Sequence, residues 1–140
     1  MPLRFLTLRR KPLGLVLCAL FGVLALIDWA QVFLALLGHN DNPSTLIALH
    51  FATGTAAAAT CWGSWRRKPW TPIAAVTYGA LTAALLLALP SLLNLPLDAR
   101  AGLRAGAAAV LLFALLSAAY FRADSRQSAR QISTERANDR

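Results

Sequence analysis

The sequence predicts an all-α integral membrane protein: a four-helix antiparallel transmembrane bundle with both termini in the cytoplasm. Three observations predict it. Of the 140 residues, 57% are hydrophobic and 14% charged, against roughly 25% charged in an ordinary soluble domain. Charge is missing from long stretches: Asp28 and Asp41 are the only charged residues between Pro12 and Trp65, and none lies between Lys68 and Asp98. A water-soluble helix needs a polar face, and these runs have none. Finally, the basic residues sit in short clusters at the ends of the apolar runs.

A helix rising 1.5 Å per residue needs about 20 apolar residues to cross about 30 Å of hydrocarbon. The first such run covers residues 13–37. It follows Arg4, Arg9, Arg10 and Lys11 as a secretory signal would. A signal core, however, has roughly 7–15 apolar residues and ends at a small-x-small site. This run is longer and has no such site, so it reads as a retained anchor. The second span covers 44–62, opened by Pro43 in a favourable first-turn position and preceded by the turn-forming residues 38–42. The third covers 71–89, bounded by Pro69 or Pro72 and by Pro90. The fourth covers 103–121. Residues 1–121 thus form one transmembrane domain, and 122–140 a basic cytoplasmic tail that carries the last helix on for a turn or two. Ser91–Leu95, between two prolines, reads as a short interfacial segment. Continuous runs of this length exclude a β-barrel, whose strands alternate over about 10 residues.

Orientation follows from the cations. Arg4, Arg9, Arg10 and Lys11, then Arg66, Arg67 and Lys68, then Arg122, Arg126, Arg130, Arg136 and Arg140 fall on one side. Arg100 and Arg104 fall on the other. Cytoplasmic loops carry the excess of Lys and Arg, which puts the twelve inside. Trp62, Trp65 and Trp70 flank the inner loop as interfacial aromatics do. The Ala- and Arg-heavy composition suggests a bacterial cytoplasmic (inner) membrane. With a net charge of +8, the expected partners are anionic lipid head groups, at roughly 1 kcal/mol per basic side chain near the surface. No basic face is left for nucleic acid. Cys18 and Cys61 form no metal-type pair, lie near the cytoplasmic ends of their spans where thiols stay reduced, and neither reads as a disulfide partner.

In lipid, helices associate through small residues and polar contacts. Every residue from Ala52 to Thr60 is Ala, Gly or Thr, which places the second helix centrally. Gly14, Cys18, Gly22 and Ala25 share a sector of the first span. Ala75, Gly79 and Ala83 do so on the third, and Gly102 and Gly106 on the fourth. A compact bundle is expected, with any face left over available to a homo-oligomer or a larger membrane complex.

Asp28 is the one charge well inside a span. Such a residue costs at least about 2.5–3.5 kcal/mol on insertion scales, which makes it a functional candidate by default. It sits about 14 Å from the outer end of its helix, and His50 about 9 Å from the outer end of the next, by the helical rise. The short 38–42 turn makes the two helices neighbours. Thr82 falls at a depth between them on the third span, with Tyr78 one turn away. Asp28, His50, Tyr78 and Thr82 therefore form the candidate polar cluster. In one reading Asp28 is a structural residue that locks helix register. In another it is a protonatable site in a transport path. His50 as axial ligand to a haem or chlorophyll lacks an accompanying motif, so no cofactor, metal or catalytic residue is assigned.

Two functions follow. The first is a small accessory, assembly or scaffold protein with no enzymatic motif: no HExxH, nucleophile elbow, phosphate loop or paired carboxylates is present. The second is a proton-coupled transporter or ion pathway using Asp28. In size and span count the chain resembles the small multidrug resistance transporters. The residues around Asp28 depart from their first-helix motif. A twelve-to-two charge split also inserts one way only, whereas those transporters pair oppositely inserted copies. Transport here would need a parallel oligomer.

Overall fold

The computed structural model describes residues 12–38 and 44–138, and the described residues are helical with no strand. Arg4, Arg9, Arg10 and Lys11, most of the first turn (39–42), Pro43 and Arg140 lie outside them. Four helices follow in order: α1 (Pro12–Leu36), α2 (Ser44–Arg66), α3 (Thr71–Leu92) and α4 (Leu97–Asn138). Three are long and apolar enough to cross a membrane: α1, α3 and the Asp98–Gln127 part of α4. The second, at 23 residues, is long enough, but its Ala, Gly and Thr dilute its apolar character.

Helix ends explain where the boundaries differ from those read in the sequence. The second helix runs past 62 to Arg66 and stops in a Schellman cap. There Lys68 N–H donates to the Gly63 carbonyl (2.8 Å) and Arg67 N–H to that of Ser64 (3.3 Å). This cap needs a left-handed residue at its centre, and Arg67 takes it at φ 52°. Glycine is usual there; a side chain costs roughly 1–2 kcal/mol.

Pro90 does not end α3. It sits inside the last turn, where few hydrogen bonds remain for it to break. Its own carbonyl accepts from Leu95 N–H at 3.1 Å, and the terminator is Asn94, left-handed at φ 50°. Ser91 and Leu92 thus belong to the helix and not to a separate interfacial segment. The fourth helix begins at Leu97, directly after Pro96, with Asp98 in its first turn. It continues to Asn138, far beyond the expected turn or two. From Ala107 on it contains neither Gly nor Pro, and Ala, Arg and Gln are good helix formers.

Packing follows chain order, α1 on α2, α2 on α3 and α3 on α4, and aromatic rings tie α1 to α3 and α4. Phe21 is fully buried. Its ring meets Tyr78 edge-on at 5.4 Å and lies 5.7 Å from Phe113 and 6.5 Å from Phe121. Small residues set the approach. A Cβ on Gly79 would collide with that of Ala114, so α3 and α4 touch there almost backbone to backbone. Gly102, by contrast, has nothing near it, and Gly106 only Leu86 at 3.7 Å. The packing stripe of α4 is instead Ala107, Ala114, Ala118 and Phe121. Outward, α1 and α4 expose Leu20, Val23, Leu26, Phe33, Leu112, Leu115 and Leu116. An apolar surface of that extent belongs in lipid or against a partner.

Candidate functional site

Asp28 and His50 meet because each continues the inward stripe of its helix. On α1 the buried residues are Leu17, Cys18, Phe21 and Ala25, and Asp28 is the next residue at helical spacing. On α2 they are Leu46, Thr53, Gly54 and Ala57 among others, with His50 one turn from Leu46. Where the stripes cross, His50 Nδ1 lies 3.0 Å from Asp28 Oδ1. An ionised Asp28 carboxylate would accept from Nδ1–H; the tautomer of the ring decides which atom donates. The His50 and Asp28 side chains are 22% and 14% exposed, respectively.

Next to the pair, the Trp29 ring covers Gly54. A Cβ there would stand 2.5 Å from Cδ1 of the indole, 2.7 Å from its Nε1 and 3.1 Å from Asp28 Cβ. Gly54 is what lets α1 come close enough for the hydrogen bond. Thr53 directs its hydroxyl to its own helix, at 3.1 Å from the Leu49 carbonyl and 3.0 Å from that of His50. Thr55 likewise donates to Phe51.

The third helix brings Tyr78 and Thr82 alongside. Tyr78 is buried against Phe21, with Thr82 as the neighbour of its hydroxyl and Asp28 within electrostatic reach. Thr82 Oγ1 is buried without a hydrogen-bond partner. Of the four residues the sequence singles out, Asp28 and His50 are joined directly, Tyr78 is within electrostatic reach of Asp28, and Thr82 neighbours Tyr78. Among the described residues, no three His, Cys, Asp or Glu side chains converge as metal ligands would.

Two features escape the sequence reading. The first is Gly54 beneath Trp29, hidden in a run where every residue is small. The second is the meeting of the two cysteines: Cys18 Sγ and Cys61 Sγ are 3.4 Å apart, and no disulfide joins them. A signal for this was present. Ten residues back from Asp28 along α1 and eleven on from His50 along α2 lead to Cys18 and Cys61, so the first contact implies the second. Beyond them, where all four helices converge, lies a cavity of about 40 Å³. Its wall includes Cys18, Ser64, Arg67, Lys68, Tyr120 and Asp124.

The fold and site define a small helical membrane-type protein whose first two helices are joined by an Asp28–His50 contact and a Cys18–Cys61 contact. Comparison with protein-family models, with curated proteins and with solved structures found no match.

Proposed function

We propose that the chain is a small accessory, assembly or scaffold protein of the bacterial cytoplasmic membrane, in which Asp28 and His50 lock α1 to α2. The observation that carries this reading is the 3.0 Å contact between them, reinforced by Trp29 seated on Gly54. A carboxylate held by a neighbouring helix and bracketed by close packing is a means of fixing register. In the proposed arrangement α2 is the fourth span, shielded by its neighbours, and the helices run antiparallel. The Asp28–His50 and Cys18–Cys61 contacts support that direction for α1 and α2. Both termini lie in the cytoplasm by the distribution of cations. Arg66, stacked 5.0 Å over the Trp62 ring, suits an interface of anionic head groups. The exposed leucines of α1 and α4 offer the face for a second copy or for the complex served.

Proton-coupled transport is the second reading, favoured by one observation: Tyr78, with Thr82 next to its hydroxyl, lies within electrostatic reach of Asp28. Reconstitution separates the two. Vesicles loaded with a pH-sensitive dye and bearing the protein should dissipate a pH gradient no faster than protein-free vesicles, and Asp28→Asn should change nothing. A faster collapse that Asp28→Asn abolishes transfers the assignment to transport.

A further inference from the structure

We propose that Cys18 and Cys61 form a dithiol exchange site for small anionic disulfides, with Cys18 the attacking thiol and Cys61 the resolving one. They are the chain's only two cysteines. Their sulfurs, 3.4 Å apart, need to close by only about 1.4 Å to reach disulfide bonding distance. Nothing bulky holds the helices apart at that level, because Cys61 Sγ lies over Gly22, 3.5 Å from where a Cβ would stand.

Only Cys18 meets the polar cavity: it is on the wall that Arg67 and Lys68 also line, and Cys61, although the more exposed of the two thiols, is not. A volume of about 40 Å³ takes the sulfur end of a small molecule and leaves the remainder at the mouth. The two cations there, partly offset by Asp124, leave a net charge of +1 to hold a carboxylate of the incoming disulfide. The class that fits is therefore a low-molecular-weight disulfide bearing carboxylates.

The chemistry balances without a further reagent. The Cys18 thiolate attacks one sulfur of the disulfide, the disulfide's S–S bond breaks, and the first thiolate leaves and takes up the proton that Cys18 gave up. The Cys61 thiolate then attacks Cys18 Sγ, closing the protein disulfide and expelling the second thiolate, which takes the Cys61 proton. Two protein thiols are oxidised and one small disulfide is reduced to two thiols. The product is a covalent link between α1 and α2, well along the helices from the Asp28–His50 contact. The proposal does not depend on the assignment of function above.

The test uses the full chain in detergent micelles, equilibrated with mixtures of oxidised and reduced glutathione, quenched with acid and tagged with a maleimide. Both thiols should disappear together as the oxidised fraction rises, in a monomeric species that excess reduced glutathione restores. Cys61→Ser should accumulate a mixed disulfide on Cys18. Cys18→Ser should react with oxidised glutathione at Cys61 more slowly, since Cys61 is off the wall of the cationic cavity. Arg67→Gln with Lys68→Gln, checked for retained helix content, should slow reaction with oxidised glutathione about fivefold and leave reaction with neutral hydroxyethyl disulfide unchanged. Thiols that stay reactive at every ratio, a crosslink between chains, equal rates in the two serine variants, or equal slowing of both disulfides overturns the proposal.

Discussion

Gly54→Ala is the smallest change that should prise α1 from α2. The added methyl carbon would lie 2.5 Å from Cδ1 of Trp29 and 3.1 Å from Asp28 Cβ, where unstrained carbon contacts are about 3.5–4.0 Å. The near edge of the indole takes the collision, and its attachment next to Asp28 passes the displacement to α1. A retreat of about 1 Å carries the 3.0 Å Asp28–His50 contact to about 4 Å, beyond hydrogen-bond range. Overpacking of this kind costs about 1–3 kcal/mol. A lost intramembrane hydrogen bond adds about 0.6–1.7 kcal/mol. We therefore expect a destabilisation of about 2–4 kcal/mol, read by circular dichroism during reversible unfolding in mixed micelles of mild detergent and dodecyl sulfate. Trp29→Ala in the same chain removes the obstacle, so the double variant should be more stable than Gly54→Ala alone. A cost below about 0.5 kcal/mol, or single effects that simply add, would refute the reasoning.

Phe21→Ala empties the aromatic core. Its transfer term largely vanishes because the separated helices remain in lipid, so the cavity term should dominate at about 2–3 kcal/mol in the same unfolding assay. Gly79→Ala should be severely destabilising and be relieved by Ala114→Gly. Gly102→Ala, with open space around it, should stay within about 0.5 kcal/mol of the parent. Arg67→Gly should stabilise the chain by about 1 kcal/mol, by removing a left-handed side chain from the cap of α2. Reporter fusions after Lys68 should read cytoplasmic and those after Leu93 periplasmic; the reverse assignment would overturn the proposed orientation.

The apolar runs were legible because hydrocarbon imposes its own length and excludes charge. That criterion is blind beyond the bilayer, which is why the polar half of α4 was read as a tail. Helix propensity carries it there, and Ala, Arg and Gln announce that only weakly. Pro90 misled because a proline's effect depends on how many turns lie beyond it. The Asp28–His50 contact was legible from depth and from the short connection, since both residues stand out in apolar surroundings. Gly54 was not, because one glycine among alanines and threonines gains its meaning only from the indole across the interface. Cys18 lies on the sector of small residues that the sequence marks as the packing face of α1. Its meeting with Cys61 required the relative register of the helices, which the Asp28–His50 contact itself supplies. The small-residue rule failed at Gly102 because spacing alone does not say which face meets a neighbour.

The lock between α1 and α2 is tested most directly by a double-mutant cycle on Asp28→Ala and His50→Ala, followed by the same unfolding equilibrium. A structural pair predicts a coupling energy of about 0.6–1.7 kcal/mol in the bilayer-like phase. Additivity to within about 0.3 kcal/mol would mean that the two side chains do not hold the helices together.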